Sequence, residues 1–223
     1  MKVCPTTCLN HQKRVGAEET APYNALMPKH HKQSSSHSSE PTDHLYTSLG
    51  IDKTIILVGL MGVGKTTVGR RLARKLGLNF VDSDEEIEIA ADMSVADIFD
   101  TFGEEYFRSG ERRVITRLLE NGPQIVATGG GAFINTETRA IIKQAGLSVW
   151  LDADLDVLVE RTGRRNTRPL LKQGDPAQIL AKLAKERAPI YAEADIKIKS
   201  SVVPHDHVVD SIITALETYN DCN

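Results

Sequence analysis

Cysteine is scarce in this chain of 223 residues: there are three, Cys4, Cys8 and Cys222, all at the extremities. A disulfide framework around a core is therefore not expected, and a reducing compartment, the cytoplasm, is. Cys4, Cys8 and His11 imitate half of a metal site, but no second pair of ligands stands nearby. An apolar run long enough to span a bilayer is also missing, and the first residues lack the apolar centre of a secretory signal, so no membrane partner is expected. Charge of one sign is not in excess. The formal net charge of -3 argues against nucleic acid as a partner. Residues 1–50 hold a single arginine, Arg14, beside Glu18, Glu19, Glu40 and Asp43, which is the reverse of an organelle transit peptide.

Residues 1–50 also have no sustained apolar periodicity and collect polar clusters such as His30 to Ser39, so they read as a disordered extension. From Lys53 the texture changes. Short β-rich apolar runs alternate with amphipathic stretches, which argues for an α/β domain over 51–220 with a parallel sheet flanked by helices. The expected strands are 54–58, 79–82, 124–127, 148–151 and 196–199. The expected helices are 65–76, 85–91, 95–102, 104–120, 136–145, 155–162, 176–188 and 207–219. Ser94 followed by Asp97 resembles a helix cap. No internal repeat is visible.

The run Gly59-Leu60-Met61-Gly62-Val63-Gly64-Lys65-Thr66, directly after the apolar segment Ile55 to Val58, fits the phosphate-binding pattern G-x-x-x-x-G-K-[ST] at every fixed position. Glycines let the backbone curl so that successive N–H groups face phosphate oxygens. Lys65 supplies positive charge for the β- and γ-phosphates, and Thr66 a hydroxyl ligand for magnesium. The helix after the loop turns its positive end to the same phosphates.

Three further segments carry chemistry. Asp82-Ser83-Asp84 stands at the end of the second expected strand, where ligands of open α/β sheets bind. Alternation along extended backbone places Asp82 and Asp84 on one side and Ser83 on the other, so one acid can face magnesium and its neighbour a substrate hydroxyl. Asp84 as a simple helix cap is the alternative. Thr128-Gly129-Gly130-Gly131 follows a buried-type strand; its glycines suit close approach to a ligand, or merely a tight turn. Arg161 to Leu171 is basic and contains glycine. It reads as a lid whose Arg164, Arg165 and Arg168 close over phosphate, or as a solvated loop.

Taken together, the phosphate loop, Asp82-Ser83-Asp84, Ile98-Phe99, Gly103-Glu104 with Phe107-Arg108, Gly129-Gly130-Gly131, Arg168-Pro169-Leu170-Leu171 and Arg187-Ala188-Pro189-Ile190-Tyr191 resemble the shikimate kinase family from about Ile55 to Tyr219. The resemblance implies a three-layer α/β/α P-loop kinase fold with a central five-stranded parallel sheet, a substrate-binding helical region at about 84–111 and a mobile lid at about 162–175. It implies transfer of the γ-phosphoryl of ATP to the 3-hydroxyl of shikimate, with Mg2+ as cofactor; a monomer is expected because no large unexplained apolar stripe remains. Lys65, Asp84 and Arg168 would be catalytic. Gly62, Val63, Gly64, Lys65, Thr66, Thr67, Arg161 and Arg168 would bind the nucleotide, with Arg161 packed on adenine. Asp84, Arg108, Gly129, Gly130, Gly131 and Arg187 would bind shikimate, the two arginines on its carboxylate, and Glu111 would steady Arg108. Thr66 and Asp82 would serve the metal. Two features depart from the family: Ser83 stands where Thr is usual, and no adenine-side loop is recognisable over Lys199 to Asp206. The rival readings are a related small-molecule kinase such as a gluconate kinase and a non-catalytic nucleotide-binding module.

Overall fold

Five consecutive residues, Thr54–Val58, form strand β1, and each is buried. Four of the five are β-branched, which suits a strand covered on both faces. β1 sits at the centre of a five-stranded sheet of order β2-β3-β1-β4-β5, with β2 Phe80–Asp82, β3 Ile125–Ala127, β4 Gly146–Asp152 and β5 Ile196–Lys199. All pairings are parallel. The structure is a computed structural model and describes residues 45–163, 175–200 and 204–221.

The helices are α1 Leu45–Ser48, α2 Lys65–Leu76, α3 Ser83–Ala91, α4 Val95–Glu120, α5 Thr136–Ala145, α6 Leu155–Gly163, α7 Pro176–Tyr191 and α8 His205–Asp221. A parallel sheet needs a crossover between successive strands, and the helices supply it. Register fixes what lies beside what. Leu57 of β1 and Asp82 of β2 both stand opposite Ala127 of β3. The chain leaving these three strands therefore emerges at one edge, where the phosphate loop, the paired acids and the triple glycine meet.

Two apolar clusters hold the elements. The larger includes β1, Leu72 and Leu76 of α2, Phe133, Ile142 and Ile212 of α8. The smaller joins Ile87 of α3 to Ile98, Phe107, Val114 and Leu118 of α4, with Val126 of β3 beneath them. Each such side chain fully removed from water stabilises by roughly 1.5–3 kcal/mol. The smaller cluster matters for function because it anchors the acid-bearing start of α3 and the arginine-bearing half of α4 to the sheet.

Several expected boundaries move. Residues 1–44 of the extension read as disordered lie outside the described residues, but Leu45–Ser48 is a helical turn and Leu49 behind it is 3% exposed. Leu49, with Tyr46 and Ile51 packed against the same core, holds that turn. The expected break between helices 95–102 and 104–120 stands: two helical stretches of α4 meet in a kink at Gly103, whose φ of 82° and ψ of 176° are not helical. α7 runs on past Ala188 through Pro189 to Tyr191. The buried Tyr191 ring, stacked 5.9 Å from Trp150 and 6.5 Å from Phe133, holds the last turn in place despite the missing N–H. Ser94 does cap α4, accepting from the Asp97 N–H at 3.1 Å.

Candidate active site

The phosphate loop is shaped by glycines that no other residue would replace without strain. Gly62 has φ of 83°, and a Cβ there would meet Thr162 Cγ2 at 2.7 Å; Gly64, immediately before α2, has φ of 100°. No side chain caps α2. Its first N–H groups and those of the loop thus form the anion cradle that the motif implies. Lys65 is 9% exposed, and its Nζ donates to the carbonyl oxygens of Gly59 at 2.7 Å and Leu60 at 3.0 Å. The ammonium is held within the cradle by the loop itself. Val63 is buried and Thr67 exposed beside it.

Thr66 Oγ1 donates to Asp82 Oδ2 at 2.8 Å, and Asp82 Oδ1 accepts from the Asp84 N–H at 3.1 Å. Asp82, not Asp84, is the cap of α3. β2 ends at Asp82, so Ser83 and Asp84 are helical and the alternation expected from extended backbone does not apply. The two acids nevertheless converge. Burial pushes the Asp84 carboxyl up to about 6, aided by the charge of Asp82 and opposed by Lys65 and Arg108.

Glu111 on α4 is fully buried, and its carboxyl is pushed up to about 7 by burial, against the pull of Arg108. Arg108 Nη1 donates to Glu111 Oε2 at 2.7 Å, and its other nitrogens reach Glu104 at 3.3 Å. The triple glycine is packed against this group. A Cβ on Gly129 would stand 2.7 Å from Asp84 Oδ1 and 3.2 Å from Glu111 Oε1, while one on Gly131 would stand 2.6 Å from Arg108 Nη1. Those two carboxylate oxygens have no hydrogen-bond partner among the described residues. Arg187 Nη1 donates to the Gly130 carbonyl at 3.0 Å. Two guanidinium groups thus meet one glycine turn beside the acid. The turn is kept bare of side chains by the close approach of Asp84, Glu111 and Arg108.

The family model for shikimate kinase matches residues 61–217. Among curated relatives, a shikimate kinase of Rhodopseudomonas palustris is 54% identical over 75% of this chain and 83% of its own length. One of Novosphingobium aromaticivorans is 50% identical over 82% and 95%. Among solved structures, a shikimate kinase from Acinetobacter baumannii in complex with shikimate superposes with a TM-score of 0.74 at 37% identity, covering 78% of this chain and 97% of that one. The chain belongs to the shikimate kinase family. A gluconokinase from Sinorhizobium meliloti shares the fold alone, at 18% identity and a TM-score of 0.51.

In this member of the shikimate kinase family α6 packs on the phosphate loop. Arg161 Nη1 donates to the Val63 carbonyl at 3.3 Å, and Ser200 Oγ, at the end of β5, donates to the same oxygen at 3.1 Å. The lid residues Arg164, Arg165 and Arg168 lie outside the described residues. Of the segment 162–175, Thr162 donates to Leu158 O at 2.7 Å within α6, and Asp175 caps α7.

Sequence reasoning assigned no role to Tyr191, Glu104 or Ser200. Tyr191 Oη donates to the Gly130 carbonyl at 2.5 Å, the oxygen that Arg187 also engages. The signal was present: Arg187 and Tyr191 are four apart on one helix and so share a face. Glu104, four residues before Arg108, was visible by the same rule.

Proposed function

We propose that this kinase transfers the γ-phosphoryl of ATP to the 3-hydroxyl of shikimate, yielding shikimate 3-phosphate and ADP. One observation carries the acceptor: Arg108 and Arg187 both reach the Gly129-Gly130-Gly131 turn, next to Asp84. Two guanidinium groups suit the carboxylate of an acidic alcohol, and Asp84 suits its hydroxyl. Lys65 and the N-terminus of α2 hold the phosphates, with Val63, Gly64, Thr66 and Thr67 around them and Arg161 on the nucleoside side.

In the step itself the substrate hydroxyl gives its proton to the Asp84 carboxylate as its oxygen bonds to the γ-phosphorus, and the electron pair of the broken P–O bond leaves with ADP. A carboxyl near 6 is ionised at neutral pH yet basic enough to accept that proton. Alignment of two reactants supplies roughly 7–11 kcal/mol, whereas a base contributes about 10²–10⁴ in rate. Positioning by the arginines and the phosphate loop therefore outranks the base. Arg168 adds positive charge at the transferring group.

Mg2+ fits the same corner. Thr66 Oγ1 and the Asp82 carboxylate, 2.8 Å apart, are hard oxygen donors of the kind Mg2+ takes in ones and twos. Among the described residues no cluster of three or more His, Cys, Asp or Glu stands ready to hold a metal alone. Bound there, the ion would neutralise charge on the β- and γ-phosphates.

The reading extends to a cytoplasmic monomer. No described helix is long and apolar enough to cross a membrane, and among the described residues only Ile89 and Phe102 are large, apolar and exposed. A coupled ADP-release assay, with shikimate and gluconate side by side and with and without Mg2+, tests the proposal. Turnover with shikimate and magnesium alone is expected. Turnover with gluconate, or binding of both ligands without product, would replace it with one of the rivals.

A further inference from the structure

Arg139, in the first turns of α5, has no part in the chemistry above, yet it joins the two elements that meet at Gly130. Its side chain is 15% exposed, and Nη1 donates to the carbonyl oxygens of Phe133 at 3.0 Å and Ile134 at 3.1 Å. Those residues end the 3-10 turn Ala132–Ile134, which follows Gly131 without a break. Helical turns leave their last carbonyls without partners, and a guanidinium supplies the missing donors. Arg139 Nε meanwhile pairs with Glu193 Oε2 at 3.3 Å, two residues past the end of α7. A mostly buried cation needs such a counter-charge, but nothing obliges it to span two elements.

We infer that Arg139 is a positioning residue for the acceptor's carboxylate: by fastening the turn after Gly129-Gly130-Gly131 to the end of α7, it holds the Gly130 carbonyl against Arg187 and so sets where the rest of that guanidinium points. The inference rests on the reading of Arg187 as a carboxylate-binding residue. Arg187 commits Nη1 to Gly130 O, and Tyr191 donates to the same oxygen. Phe133 takes part at both ends, since its carbonyl accepts from Arg139 while its ring stacks on Tyr191. Without the fork of Arg139, the turn and α7 are free to slide by a fraction of an ångström, and a bidentate pair between Arg187 and a carboxylate tolerates little such error. Lys143, which also reaches Glu193 at 2.7 Å, holds that acid but gives nothing to the turn. Arg139 thus acts through Arg187.

Steady-state kinetics of wild type, Arg139→Met, Arg139→Lys, Arg187→Met and the double variant Arg139→Met with Arg187→Met test this, with thermal unfolding as the folding control and all assays well below the lowest Tm. Methionine keeps length and packing but no donor; lysine keeps the charge but not the planar fork. Arg139→Met should raise KM for shikimate roughly five- to tenfold, the worth of a charged hydrogen bond, while KM for ATP stays at the wild-type value. Arg139→Lys should fall between. In the Arg187→Met background, Arg139→Met should cost little more in kcat/KM for shikimate, because the group it positions is gone. An unchanged KM for shikimate in Arg139→Met, an equal rise in KM for ATP, or full additivity in the double variant would overturn the inference alone. Wild type that does not turn over shikimate would remove the reading of the site as well. Should Arg139→Met fail to fold, Arg139→Lys decides: its KM for shikimate must exceed the wild-type value with KM for ATP unmoved, and equal values overturn the proposal.

Discussion

A single methyl group placed on Gly129 would press on both Asp84 and Glu111, at 2.7 and 3.2 Å. Glu111 is held by Arg108, so the buried Asp84 side chain would have to give way. Gly129→Ala should therefore misplace the acceptor side while sparing the nucleotide side. The expected outcome is a fall in kcat/KM for shikimate of about 10²-fold, the usual cost of an ångström of misplacement, with ADP affinity unchanged. Calorimetry with ADP beside steady-state kinetics separates the two. Asp84→Asn keeps the shape and removes the base. Turnover should fall by about 10²–10⁴ while ATP still binds, and unchanged turnover would take Asp84 out of the chemistry.

Among the elements, α4 shows most clearly how backbone geometry serves the site. Its bend at Gly103 combines φ of 82° with ψ of 176°, a region open to glycine alone, and no atom lies within 4 Å of where a Cβ would sit. The cost of Gly103→Ala is thus conformational and not steric, on the order of 1–3 kcal/mol in unfolding free energy. Denaturant titration measures it. Because Glu104, Arg108 and Glu111 all follow the bend, the same variant should raise KM for shikimate, and a variant with wild-type stability and KM would show that the bend is incidental. α7 makes a complementary point. Arg187 and Tyr191 both donate to Gly130 O, so the helix must continue through Pro189 to deliver the second of them.

At the scale of the whole molecule, the buried acids make the fold sensitive to pH. Glu111 is raised from an ordinary 4.5 to about 7 in the folded protein, so the folded state keeps a proton that the unfolded chain releases. Its contribution to stability is complete below about 4.5 and is lost as pH rises through about 7. Glu111→Gln, which cannot ionise, should therefore gain in Tm relative to wild type between about pH 5 and about pH 8, and a flat or falling difference would contradict the assignment. Much of this molecule was legible in the order of its residues. β1 and α2 were, to the residue, because apolar runs and helical periodicity are local, and so was the phosphate loop, whose chemistry lies within eight consecutive positions. What stayed hidden depended on contacts made only in the folded chain. The bond from the Asp84 N–H to the Asp82 carboxylate decided that α3 begins at Ser83, not Glu85, and that Asp82 caps it. Burial of Leu49 and Tyr191 decided that a helical turn forms at Leu45–Ser48 and that α7 outlasts its proline. Residue order alone determined the fold class and the phosphate chemistry, since both arise from neighbours along the chain. Only the tertiary structure decided which carboxylates lose their water and which guanidinium groups meet them, because desolvation is a property of packing.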